Sequence, residues 1–153
     1  MNIEYHIVSE STLDSSYCFL KDIADQFPTP LDKKTDLKQL VNKVFRNGYI
    51  ILAENRGIPV GINMIYANDY TNYCAWITVL GVSPSLRRYG IAGELIQRAE
   101  EIALNNGMKH MALFVHSENE KAVNAYRKYG FTENSAIPAH EKDYITFYKD
   151  LEG

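Results

Sequence analysis

The sequence predicts a single mixed α/β (α+β) domain, and three observations carry that prediction. The 153 residues are the size of one domain and leave little room for a second core. Apolar residues recur with period two in some segments and with period 3.6 in others. The two periods alternate along the chain, with Gly, Pro, Asn and Asp clustered where they change.

Ile3 to Val8 reads as a first strand. Leu13, Tyr17, Leu20, Ala24 and Phe27 then recur at helical spacing, and Pro28 and Pro30 end that helix. Leu37, Leu40, Val41, Val44 and Phe45 mark a second helix, capped by Thr35 or Asp36 and closed by Gly48. Tyr49–Glu54 and Val60–Ala67 are strands joined by the hairpin signal N-R-G-I-P, and Tyr73–Val82 is a long fourth strand. Gly81, near its end, is the expected position of a bulge. Ile91, Ala92, Leu95, Ile96, Ala99, Ile102 and Ala103 form one helical stripe that ends near Asn106-Gly107. His110–Val115 follows as a fifth strand. Ser117-x-x-Glu120 is a capping-box signature for a helix bearing Ala122, Tyr126 and Tyr129 and stopping at Gly130. Phe131–Ile137 and Asp143–Leu151 read as two closing strands. No repeat, linker or low-complexity stretch interrupts this order, so residues 1–153 are expected to form one domain.

Composition narrows the function. At 46% hydrophobic and 23% charged residues the chain is an ordinary globular protein. A net charge of −3 with scattered basic residues lacks the footprint of a nucleic-acid binder. No apolar run approaches a membrane span, and no signal layout opens the chain, so a soluble, cytoplasmic protein is expected. Cys18 and Cys74 show no metal spacing and read as buried free thiols; no metal is expected.

The chemistry concentrates in V-S-P-S-L-R-R-Y-G-I-A, Val82 to Ala92. This stretch leaves a strand and opens a helix, so it carries the unpaired N–H groups and the positive dipole end of a helix N-terminus. Gly90 and Ala92 leave room for an anion at the backbone, and Arg87 and Arg88 add positive charge. Tight packing of strand on helix accounts for the same small residues, and the loop alone does not separate the two readings. Further on, the chain reads V-H-S-E-N-E-K-A-V-N-A-Y-R-K-Y-G-F.

R-R-Y-G-I-A resembles the R-x-x-G-x-G/A loop of the GNAT family of N-acetyltransferases. Asn119, Ala122, Tyr126, Gly130 and Phe131 match that family's second signature, and A-W-I-T-V-L-G-V-S-P is similar to its fourth strand. The resemblance spans Ala75 to Phe131. It implies a mostly antiparallel sheet of about seven strands, with parallel fourth and fifth strands splayed at a bulge, flanked by about four helices. It also implies acetyl-coenzyme A as cosubstrate. Arg87, Arg88, Tyr89, Gly90, Ile91 and Ala92 would then hold its pyrophosphate, and Leu80, Gly81 and Val82 would line its pantetheine arm. The Leu80 N–H would face the thioester oxygen. Asn119 and Ala122 would lie beside the arm, and Tyr126 would protonate the departing thiolate.

The family often places glycine directly after the loop arginine; here Arg88 stands there. Many relatives carry a base on the fourth strand, and Y-C-A-W-I-T-V-L has no carboxylate. Glu54, Asp69, Tyr70, Tyr73 and His116 remain as base candidates beside water, each with a blander surface or capping role. Acceptor-contacting residues are expected among Phe27, Tyr66, Tyr70, Tyr73 and His116, where packing is the competing account. The expected partner is a small-molecule amine, with amino sugars as one guess, and a homodimer is the usual oligomer. An acyl-coenzyme A sensor and a protein N-terminal or lysine acetyltransferase are the rival functions.

Overall fold

The computed structural model describes residues 1–151. β1 (Ile3–Ile7) is followed by α1 (Leu13–Ile23), a short α2 (Leu31–Lys34) and α3 (Leu37–Asn47). β2 (Tyr49–Asn55), β3 (Ile58–Asp69) and β4 (Cys74–Val82) run on through hairpins. α4 (Ile91–Asn105), β5 (His110–His116), α5 (Glu120–Lys128), β6 (Thr132–Glu133) and β7 (Tyr144–Asp150) complete the order. The strands form one sheet in the order β1-β2-β3-β4-β5-β7-β6. β4 and β5 pair in parallel and the other neighbours are antiparallel. A parallel pair needs a crossover, and α4 supplies it.

The sheet separates two cores. Leu95, Ile96, Ala99 and Ala103 of α4 pack with Ile51, Ile65, Ile77, Leu113 and Phe147 on one face. Leu20 and Ile23 of α1 and Val41 and Val44 of α3 pack with Leu52, Ile62, Met64 and Val79 on the other. α1 and α3 cover the second face from β1 as far as β4. Beyond β4, residues of β5 and β7 on that face carry no long helix.

The bulge lies at Thr78, which corrects the expected Gly81. Met64 pairs with Val79 while Ile65 pairs with Ile77, so Thr78 is an extra residue. Its effect is visible in the side chains: Ala75 and Ile77 belong to the α4 core, whereas Val79 belongs to the α1 core. Gly81 pairs regularly with Ile62 and serves a different purpose. A Cβ there would collide with Ile23 Cδ1 and lie 3.4 Å from Phe27 Cζ, so its absence lets α1 close on β4. Gly81→Val is expected to cost about 2 kcal/mol through overpacking. Urea denaturation reads this as a lower midpoint, and an unchanged midpoint would show that Ile23 has room to move.

Other boundaries moved for local reasons. The first helix ends at Ile23 and continues as a 3-10 turn, Ala24–Gln26, before Phe27 turns extended. α2 is a fifth helix beyond the four expected, a single turn after Pro30. The α5 cap is Asn119, whose Oδ1 accepts the Ala122 N–H at 3.3 Å, in place of Ser117. The expected strand Phe131–Ile137 shrinks to Thr132–Glu133, because Asn134 Oδ1 takes the Ala136 N–H and turns the chain. Tyr73 leaves the strand with φ 54°. Cys74 is buried, and burial pushes its thiol up to about 12, but Cys18 is exposed, against expectation.

Candidate active site

β4 pairs with β5 from Cys74↔His110 to Ile77↔Leu113. From Thr78 onward the two strands part, as a bulged strand bends away from its neighbour, while β5 stays paired with β7 to His116. The register with β3 decides which way the β4 backbone faces. The Ser83 N–H donates to Val60 O at 2.8 Å, so Ile62/Gly81 and Met64/Val79 are the pairs that exchange bonds with β3. Leu80 and Val82 alternate with them and turn their N–H and C=O groups to the opposite, open edge. The Val82 carbonyl confirms this direction by accepting from Arg87 Nε at 3.4 Å.

At the mouth of this opening the chain makes a 3-10 turn, Pro84–Leu86, and enters α4 through Gly90. Gly90 sits at φ 75°, the left-handed region that disfavours any side chain, and no atom lies within 4 Å of where its Cβ would be. The Glu94 N–H is bonded to Gly90 O at 3.1 Å, leaving the N–H groups of Ile91, Ala92 and Gly93 without an intrahelical acceptor. Ile91 is buried in the α4 core, so only its backbone is available, and Ala92 is half-buried. Arg87, Arg88 and Tyr89 are exposed. Arg87 also ties the loop to the 3-10 turn after α1, donating to Gln26 Oε1 at 3.4 Å. Open amides and two guanidiniums beside a glycine with no neighbour at its Cβ position fit a diphosphate.

α5 brings the second signature alongside. Asn119 lines a groove and caps the helix at once. Ala122 packs partly against the α4 core. Tyr126 is half-buried, with ring centroids 5.8 Å from Phe131 and 6.4 Å from Phe147, both edge-on. Burial, with Tyr129 beside it, pushes the Tyr126 phenol up to about 12.

The groove, about 280 Å³, is lined by Gln26, Phe27, Pro28, His116, Glu118 and Asn119. Phe27 and His116, both expected to contact an acceptor, therefore meet there. His116 Nδ1 accepts the Glu118 N–H at 3.2 Å, which makes the neutral ring an Nε2–H donor and no ready base. Its ring stands edge-on to Tyr144 at 5.2 Å.

Tyr66, Tyr70 and Tyr73 do not join this group. Tyr66 faces Trp76 across β3–β4 and packs with the α1–α3 core. Tyr70 and Tyr73 sit at the hairpin where β4 begins, about 25 Å along the strand from the α4 loop at ~3.3 Å per residue. The other base candidates are occupied elsewhere. Glu54 pairs with His6 at 3.2 Å, and the Asn72 amide is the main group holding the Asp69 carboxyl below its usual range. Sequence reasoning missed Thr78 and Glu118, whereas Gln26 and Pro28 flank the expected Phe27 in the segment D-Q-F-P-T-P-L-D between the first two helices.

A mixed sheet opened between its parallel strands, with a helix N-terminus at the opening, defines an acetyltransferase fold of the GNAT type. Residues 17–131 match the model of the Acetyltransferase (GNAT) family, and the chain belongs to that family. It is 32% identical over 88 residues to GCN5-related N-acetyltransferase 7, chloroplastic, of Arabidopsis thaliana, covering 57% of this chain and 30% of that protein. The chain spans less than half the length of the first curated relatives it matches. Among solved structures, a GNAT-family acetyltransferase from Staphylococcus aureus superimposes with TM-score 0.81 at 19% identity, over 99% of this chain and 100% of that one. The PaiA N-acetyltransferase from Thermoplasma acidophilum, solved in complex with coenzyme A, gives TM-score 0.78 at 19% identity, over 98% and 99% of the two chains. Among the described residues no helix is long and apolar enough to cross a membrane, and no cluster of His, Cys, Asp and Glu could hold a metal ion.

Proposed function

We propose that the chain transfers an acetyl group from acetyl-coenzyme A to the primary amine of a small molecule, by direct attack with both substrates bound. The observation that carries this is the free backbone edge of β4 at Leu80 and Val82, next to the open amides after Gly90. Acetyl-coenzyme A supplies a thioester. The loop amides with Arg87 and Arg88 hold its diphosphate, and the β4 edge hydrogen-bonds its amide-rich arm. The Leu80 N–H donates to the carbonyl oxygen where negative charge develops during attack. Holding amine and thioester side by side supplies much of the rate without a covalent enzyme intermediate.

Tyr126 takes a narrower role than a proton donor. Burial raises its phenol above the usual tyrosine range, so Tyr126 holds its proton more tightly than a free tyrosine does. It stays protonated across the working range and stabilises the departing sulfur by hydrogen bonding. The proton leaves the attacking amine through water in the open groove, since His116 presents a donor there.

Thiol release from acetyl-coenzyme A against a panel of amines tests the proposal, with turnover on at least one amine as the expected result. Coenzyme A binding with no release on any amine would mark an acyl-coenzyme A sensor instead. Tyr126→Phe is expected to lower kcat roughly tenfold to a hundredfold with coenzyme A affinity unchanged. An unaltered kcat would remove Tyr126 from the reaction.

A further inference from the structure

Two large rings stand at the fork of the sheet without belonging to either core. Trp76 is one residue before the last β4–β5 pair, and Phe114 is one residue beyond it. Both point to the face that α1 and α3 leave uncovered, because Trp76 lies opposite Tyr66 of the α1–α3 core and Phe114 opposite Thr146. Their centroids are 5.1 Å apart, and His140 stands edge-on to Phe114 at 5.6 Å. Both rings are half-buried, yet neither packs into the hydrophobic cores that absorb the other large apolar side chains of these strands. The segment leading into β7 borders them through His140 and is pinned where Thr146 Oγ1 donates to Ile137 O at 2.6 Å.

We propose that this wall is the specificity surface for the acceptor and that it selects an amine carrying an aromatic or similarly flat apolar body. The proposal rests on the acetyl-transfer reading for its location: Leu80, the thioester-facing residue, follows Trp76 along β4 just past the bulge. An amine reaching that point from the open face has its remaining atoms against Trp76 and Phe114. The chemistry of the surroundings then favours π-stacking over polar recognition. Several polar groups of the neighbouring strands and turns are already partnered inside the protein, and His140 meets the wall through its ring, edge-on to Phe114. Thr146 is bonded to Ile137, Lys34 to Glu141 at 2.9 Å, His110 to Asp150 at 2.8 Å, and Asp69 is held by its own turn. A polyhydroxylated or carboxylate-bearing acceptor would find these partners spent, whereas a ring gains stacking contact on two aromatic neighbours.

Trp76 is the chain's single tryptophan, so its fluorescence reports on the wall directly. The protein, saturated with coenzyme A and separately without it, is titrated with phenethylamine, hexylamine and glucosamine. Phenethylamine is expected to change Trp76 emission and to bind about tenfold more tightly than hexylamine, with glucosamine weaker still. Phe114→Leu keeps an apolar side chain and removes the ring. It is expected to bring phenethylamine and hexylamine within about twofold while coenzyme A affinity and the thermal midpoint stay close to the native values. Equal binding of the two amines to the native protein, tighter binding of glucosamine, no binding of any of the three, or an unchanged preference in Phe114→Leu overturns the proposal. Thiol release measured on the same amines separates it from the transfer reading. Aryl-amine binding without release removes the transfer and leaves the wall. Release without aryl preference does the reverse.

Discussion

Replacing Leu80 with proline is expected to lower kcat for acetyl transfer about 100-fold to 1,000-fold while leaving the sheet assembled. Proline removes one N–H and nothing else from the hydrogen-bonding inventory of the backbone. At the alternate positions of β4 that loss would break a rung with β3, but Leu80 occupies a position whose N–H faces the open edge, between the bonded pairs Ile62/Gly81 and Met64/Val79. A proline is tolerated in a strand where the missing donor faces away from the ladder. What disappears is the donor that the proposed reaction aims at the developing oxyanion, and losing one such donor typically costs two to three orders of magnitude. Circular dichroism and coenzyme A affinity near native values, with kcat collapsed, are the expected pattern. Full activity in Leu80→Pro would mean that another group stabilises the oxyanion. Val79→Pro, at a bonded position, is the contrasting control and should unfold the strand.

Gly48→Ala is expected to destabilise the fold by about 3 kcal/mol, near the upper end of ordinary overpacking. Gly48 closes α3, its N–H donating to Val44 O at 2.7 Å, and the chain enters β2 at once. A Cβ there would run into the Ile65 carbonyl oxygen and come within 3.0 Å of Tyr66 Cδ1. The first obstacle is backbone in a central strand, which has no rotamer to change, so α3 or β3 must move. At about 2–4 °C per kcal/mol for a domain of this size, the thermal midpoint should fall by about 10 °C. A drop of a degree or two would show that the α3–β2 corner flexes.

Much of this architecture is legible in local pattern. The stripe Ile91 to Ala103 is the buried side of α4, and Gly90 with the small residues after it stands at its entrance. The string from Asn119 to Phe131 forms α5 and its exit, with Tyr126 on the side that meets Phe147. Thr78 gave no warning, because A-W-I-T-V-L-G-V is a run of good strand formers and a bulge in it is a matter of pairing. Gly81 drew attention as the one residue that breaks the run, but its work is to admit Ile23. Tyr70 and Tyr73 are expected acceptor contacts because the aromatic segment N-D-Y-T-N-Y reads as a substrate-reading loop. The structure puts them at the β3–β4 hairpin, apart from the groove that Phe27 and His116 line.

The kind and order of the main elements and the glycine that leads into α4 are legible in the sequence, since helical and strand periods and a strand-to-helix glycine are properties of neighbouring residues. Where β4 and β5 part, which edge Leu80 faces and which aromatic rings stand together are not legible in any local stretch of sequence. Those follow from the register of β3 against β4 and of β5 against β7, strands distant along the chain. A shift of one residue there reverses the side to which every following group points.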